Sequence, residues 1–218
     1  MQIPSSVRRI PISTVSITGR LDGQMFESAL ERDLLMQLAW SENVEWFVTQ
    51  PVEIRYEFPV GKKRVYTPDV LFGFSDETSS PVEAVLCEVK YREDLAKNWQ
   101  ELRQKFRAAR RYCAERGWRF VIFDETRIRD VQLKNIQFLW NYRGQSVPPE
   151  LELKLLQQFA ALGDATMSKV VEQVAATQTN KANVIWAWWC LVAQKRVLFD
   201  EDQPLNGNTI FFLPATHE

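Results

Sequence analysis

The chain has 218 residues, 45% hydrophobic and 25% charged, with 8 Gly and 10 Pro. Such usage belongs to an ordinary globular protein with one large domain or two small ones, and it excludes disordered, collagen-like and disulfide-scaffold classes. Net charge is −1, so no global basic signature for nucleic acid exists, yet the charges are unevenly spread. Pro148 to Glu218 carries 5 basic against 8 acidic residues, whereas Lys97 to Arg119 carries eight Lys and Arg against only Glu101 and Glu115. A local basic helix of that kind is either a phosphate-facing surface or a solvated face. The longest apolar run, Val184 to Ala193, is far short of the ~20 residues that span a bilayer. The opening Met1–Arg9 has no apolar core of a secretion signal. Cys87, Cys113 and Cys190 are odd in number and lack CxxC spacing, so reduced thiols, a cytoplasmic location and no zinc are expected. The only histidine is His217, which leaves Ser-His-Asp, Cys-His and His-zinc chemistry almost nothing to work with. An enzyme of this composition works with carboxylates, lysines and a hard metal ion.

Residues 1–22 mix Pro, Ser, Thr and Arg and read as an extended arm. Phe26 to Trp40 has helical spacing, with Phe26, Leu30, Leu34 or Leu35 and Leu38 at steps of three or four. Pro51 ends the next segment; Val52–Pro59 alternates as a strand, and Gly61–Arg64 turns into a second strand over Val65–Phe74. Ser75–Pro81 is a loop by composition, followed by a third strand over Val82–Tyr91. A basic helix is predicted from Leu95 to Glu115, stopping at Gly117, and Trp118–Asp124 reads as a buried strand. Helix, three strands, helix, strand is a mixed α/β core ending in a parallel crossover. Arg143–Pro149 looks like a linker between a domain over 23–145 and a second over 148–218. The second reads as three helices (Glu150–Leu162, Met167–Ala176, Lys181–Gln194) and a hairpin of Lys195–Phe199 with Thr209–Leu213, the order of a winged helix-turn-helix.

Chemistry is concentrated at Pro68-Asp69 and Glu88-Val89-Lys90. On an alternating strand, Val85, Cys87 and Val89 point one way, and Ala84, Leu86, Glu88 and Lys90 the other, with Glu88 and Lys90 roughly 6.6 Å apart along the strand. If the second and third strands pair, Asp69 approaches Glu88 on that face. Two carboxylates with a lysine suit a hard divalent cation, Mg²⁺ with Mn²⁺ able to substitute, its other positions filled by water. The candidate metal residues are Asp69, Glu88 and Val89. Such an ion lowers the pKa of a bound water and neutralises charge on a phosphate, while Lys90 orients the water or donates to the transition state. Asp followed by a distant Glu-x-Lys is a loose pattern, and its strand-rich context is what raises its weight.

A P-D…E-x-K pair on adjacent strands, preceded by a helix with a glutamate, is the layout of restriction-endonuclease-like nucleases; Glu27 and Glu31, four apart, share one helical face. Four blocks then resemble the TnsA family in order: Leu30–Val44, Gln50-Pro51, Tyr66-Thr-Pro-Asp69-Val-Leu71 and Cys87-Glu-Val-Lys90. The resemblance covers about Phe26 to Asn141 and extends more weakly to the C-terminal part. It implies the endonuclease subunit of a heteromeric cut-and-paste transposase, some of these being CRISPR-associated. It also implies a restriction-endonuclease-like (PD-(D/E)xK) core and a C-terminal winged-helix-like domain. By that likeness Glu31 is the helix glutamate, with Glu27 the alternative, Asp69 the metal-binding aspartate and Lys90 the active-site lysine. Glu88 stands where some relatives have glutamine. The likeness further implies cleavage of the 5′ strand at double-stranded transposon ends, beside a TnsB-like DDE transposase that handles the 3′ strand. A TnsC-like AAA+ regulator would be held by the C-terminal domain, with no membrane involved and the nucleoid as the place of action.

Arg103, Arg107, Arg110 and Arg111 are the candidate DNA contacts, the first three spaced as one helical stripe that would supply affinity without sequence preference. Lys181–Gln194 has Lys181 as its single positive charge and carries Trp186, Trp188 and Trp189, which favours protein binding over base reading. Three Trp within four positions cannot all face inward, so one is a candidate partner anchor. Two other readings remain: a stand-alone restriction or resolvase-type nuclease, and a non-catalytic DNA- or protein-binding adaptor. Intact Asp69, Glu88 and Lys90 weigh against the adaptor.

Overall fold

The computed structural model describes residues 3–7, 18–58, 61–75, 83–176 and 180–215. Most of the expected N-terminal arm, most of the Ser75–Pro81 loop, and His217 lie outside these residues. The chain divides into two compact units, Met1–Arg129 and Asp130–Glu218.

The first unit runs β1 (Gly19–Leu21), β2 (Gln24–Phe26), α1 (Ala29–Trp40), β3 (Val44–Thr49), β4 (Ile54–Phe58), β5 (Lys62–Tyr66), β6 (Val70–Phe74), β7 (Ala84–Val89), α2 (Arg92–Ala114), β8 (Arg119–Phe123) and α3 (Glu125–Ile128). Its main sheet has the order β3-β6-β7-β8, antiparallel except for the parallel β7–β8 pair that α2 connects. All six residues of β7 are buried, because it is a central strand covered on both faces. Leu102, Phe106, Ala109 and Cys113 form the buried stripe of α2 at helical spacing. Ala109 and Cys113 pack with Leu71, Ala84, Leu86, Ile54 and Tyr66, so helix, sheet and the β4–β5 hairpin share one core. Gly73 in β6 lies under the Trp46 ring of β3, and a Cβ there would stand 2.5 Å from the indole, so only glycine fits beneath it.

The structure corrects two expectations. The strand over Val65–Phe74 is two strands in two different sheets, β5 paired with β4 and β6 paired with β3 and β7. Thr67-Pro68-Asp69 is the break, where Pro68 has no N–H to offer a ladder. Secondly, the first helix starts at Ala29, not Phe26, because Ser28 caps it by accepting from the Glu31 N–H, and Gln24–Phe26 is a strand. Glu27 therefore precedes the helix and shares no helical face with Glu31. The second compact unit begins with a helix that the sequence reading did not assign.

That helix is α4 (Val131–Leu139), capped by Asp130 and followed by α5 (Pro149–Leu162), β9 (Ala165–Thr166), α6 (Met167–Ala175), α7 (Lys181–Ala193), β10 (Leu198–Phe199) and β11 (Ile210–Phe212). The strands form an antiparallel sheet in the order β10-β11-β9. Trp188 is fully buried, edge-on to Phe159 of α5 and Phe211 of β11, so it joins helices and sheet in one core. Trp186 and Trp189 are half-buried; Trp189 meets exposed Phe138 of α4 edge-on at 5.0 Å. Buried Asn135 of α4 donates to the Glu201 and Gln203 carbonyls and accepts from the Leu205 N–H, fixing the segment that leads to β11. The three cysteines are buried and free, and no helix among the described residues is long and apolar enough to cross a membrane.

Candidate active site

Main-chain hydrogen bonds place Asp69 before its side chain is considered. Its N–H donates to the Cys87 carbonyl at 3.2 Å and its carbonyl accepts from the Gln50 N–H at 2.7 Å. The Val70–Cys87 pairing, carried one step back, sets Asp69 opposite Glu88. Asp69 Oδ2 accepts from the Val89 N–H at 2.7 Å. Val89, a candidate metal residue, is thus seen here as the donor that orients Asp69. Lys90 follows β7, its N–H donating to the Phe123 carbonyl at 3.0 Å, and its Nζ lies 3.7 Å from Glu88 Oε1.

Glu88 is almost wholly buried, at 1% exposure, and both its oxygens are engaged. Tyr66 Oη donates to Oε2 at 2.6 Å, and Lys105 Nζ of α2 donates to Oε1 at 2.7 Å. Neither Tyr66 nor Lys105 stood out in the sequence as a site residue. Tyr66 belongs to the Tyr66–Leu71 block, but nothing there distinguished its hydroxyl from an ordinary buried tyrosine. Lys105 comes from a distant helix position, and no local spacing ties it to β7.

Glu31 takes part in a reciprocal cap: its oxygens accept from the Glu27 N–H at 2.8 Å and Ser28 Oγ at 3.0 Å. Glu27 lies beside Gln50, whose side-chain amide donates to Glu27 Oε1 at 3.2 Å. Gln50 adopts a positive φ of 49°, and its own Oε1 is buried with no hydrogen-bond partner among the described residues.

The electrostatics tie these groups together. Burial, then the neighbouring Glu88 and Glu31 charges, push the Asp69 carboxyl well above its ordinary range, against the pull of Lys90 and the Val89 N–H. Burial also raises Glu31. Burial would lower the Lys90 ammonium, but Asp69, Glu88 and Glu31 outweigh it and its pKa is raised, so Lys90 stays charged. Burial and Glu88 push the Tyr66 phenol well up, which keeps it a donor.

Carboxylates that repel one another in a half-buried place suit a cation. Among the described residues no three His, Cys, Asp or Glu side chains converge closely enough to cage a metal alone. The orphaned Gln50 Oε1 beside Glu27 is an acceptor suited to a water molecule. On α2, Arg107, Arg110 and Arg111 are exposed and Arg103 is half-buried.

A family model described as TnsA-like endonuclease N terminal matches residues 41–125, and one described as TnsA endonuclease C terminal matches residues 127–200. The chain belongs to the TnsA family. Asp69, Glu88 and Lys90 lie within the first match, whereas Glu27 and Glu31 precede it. The junction of the two TnsA matches falls close to the Arg129/Asp130 division of the fold. No curated protein matches the chain.

Proposed function

We propose that this TnsA family protein is a Mg²⁺-dependent DNA endonuclease, the subunit of a heteromeric transposase that hydrolyses the 5′ strand at double-stranded transposon ends. The observation that carries the reading is the meeting of Asp69, Glu88 and Lys90, with Glu31 felt electrostatically by both Asp69 and Lys90. Residues 23–145 are read as a restriction-endonuclease-like catalytic core and residues 148–218 as a second domain. In the second, three helices and a small antiparallel sheet in the order helix, strand, helix, helix, strand, strand support a winged-helix-like reading.

Asp69, Glu88 and Val89 would hold the ion, Mg²⁺ or Mn²⁺. Bound there, it would activate water and neutralise charge on the scissile phosphate. Lys90 contributes a fixed positive charge beside the carboxylates, able to orient the attacking water and to donate to the crowded transition state. The capped Glu31, with Glu27 as the alternative helix-side carboxylate, adds negative potential that favours a cation. Arg103, Arg107, Arg110 and Arg111 would hold phosphates without reading sequence, leaving site choice to a TnsB-like DDE transposase. The α7 helix is apolar and aromatic rather than basic, which supports a TnsC-like AAA+ partner over DNA for the C-terminal unit. A cytoplasmic, nucleoid-associated setting follows from this role.

The test is strand-specific cleavage of a transposon-end plasmid in Mg²⁺, by wild type and Asp69→Ala, each with and without the cognate transposase. Cleavage of the 5′ strand only with the partner, reduced at least ~10³-fold in Asp69→Ala, is the expected result. Cleavage by wild type alone would favour an independent nuclease, and unchanged cleavage by Asp69→Ala would remove the site.

A further inference from the structure

Glu88 carries more than a metal ligand's share of contacts. Its Oε1 accepts from Lys105 Nζ at 2.7 Å with Lys90 Nζ at 3.7 Å, and its Oε2 accepts from Tyr66 Oη at 2.6 Å. Lys105 is itself held: its Nζ lies 4.7 Å from the centre of the Tyr66 ring and 5.4 Å from that of Phe106. The Lys105 side chain is 17% exposed against 35% for Lys90, so the pair with Glu88 is largely screened from water. An isolated carboxylate at 1% exposure would be costly, and Lys105 is its nearest cation. A divalent ion and an ammonium at Glu88 compete for one carboxylate charge.

We propose that Lys105 and Tyr66 are positioning residues of the metal site: together they hold Glu88 in place, and Lys105 is a built-in counter-ion that a divalent cation must displace from Glu88 Oε1. Tyr66, a neutral donor on the other oxygen, keeps the carboxylate aligned throughout. The inference rests on the metal-site reading above. It makes metal binding an exchange of cations rather than the filling of an empty carboxylate site, and it sets metal affinity below what the bare carboxylates would give.

The test measures Mn²⁺ affinity without DNA, from the free-ion signal in electron paramagnetic resonance, on the full chain. Variants are Lys105→Met, Lys105→Arg, Asp69→Ala and Lys105→Met in a Glu88→Gln background, with circular dichroism as a folding check. Lys105→Met is expected to bind Mn²⁺ about fivefold tighter, the scale of one partly screened charge pair, and Lys105→Arg to remain near wild type. In the Glu88→Gln background Lys105→Met is expected to give no gain, because its partner is gone. An equal gain there would show general electrostatics and overturn the exchange, as would unchanged or weaker binding in folded Lys105→Met. Should Lys105→Met fail to fold, Lys105→Gln, which is polar and keeps a hydrogen-bond donor without the charge, carries the same expectation. Loss of binding in Asp69→Ala with no gain in Lys105→Met would defeat the counter-ion and leave the metal site standing. Binding that survives Asp69→Ala, or is absent from wild type, would defeat both.

Discussion

Asp69 is held by its main chain on one side and pressed by like charges on the other, and the two facts have separable consequences. Its N–H and carbonyl are bound to Cys87 and Gln50 whatever its side chain carries. Its carboxyl has a pKa raised well above the ordinary 3.8 by burial, Glu88 and Glu31. The folded metal-free state therefore binds a proton more tightly than the unfolded chain, so the stabilisation is complete below about pH 3.8 and is lost as pH rises through the raised value. Glu31, raised from 4.5, acts with the same sign. Melting temperature in chelator should fall as pH climbs from the acid side towards that raised range, and Asp69→Asn should flatten the fall. At neutral pH Asp69→Asn should melt a few degrees higher than wild type while cutting no DNA. An unaltered pH profile of melting in Asp69→Asn would contradict the assignment of the strain to this carboxyl.

At the scale of elements, two substitutions separate what positions the site from what merely fills the core. Ser28→Ala removes the cap of α1 and a donor to Glu31, so it should cost about 1 kcal/mol in urea unfolding. It should also loosen Glu31, lowering cleavage less than Asp69→Ala does. Gly73→Ala places a methyl 2.5 Å from the Trp46 indole, and the strained β3–β6 pair should lose about 2 kcal/mol in the same assay. Much of the first unit was legible because apolar spacing and turn residues agree along α2, β7 and β8. Glu88 and Lys90 were singled out because they share one short segment, and Asp69 because it follows Pro68 ahead of an apolar run. What stayed hidden was non-local. A single strand was read across Pro68 because Val65–Phe74 is rich in Val, Leu and Phe, although its two halves join different sheets. β9 was unassigned because two residues carry no pattern, and β3 because the unbroken run Trp46-Phe47-Val48 interrupts its alternation. Asp130 followed by Val131, Leu133, Ile136 and Leu139 was a readable capped helix that went unassigned. Lys105 had no signal at all: a lysine in a basic helix looks solvated until the fold turns it onto Glu88.

The molecule as a whole is two units, each with its own aromatic or aliphatic core. Trp188→Ala removes the ring between Phe159 and Phe211 and should cost the second unit about 4 kcal/mol, read by thermal unfolding. The same variant should leave Mn²⁺ affinity at Asp69 unchanged, because every residue named in that site belongs to the first unit; a large change would show that the units are energetically linked. The main-chain anchoring of Asp69 reaches further than its own chemistry. A chain with Asn at 69 would keep its length, its fold and its interaction surfaces, and quality-control proteases, which detect exposed unfolded segments, would have nothing to recognise. Such a copy would persist beside intact ones as a silent occupant of their place, and a single codon change would separate the two.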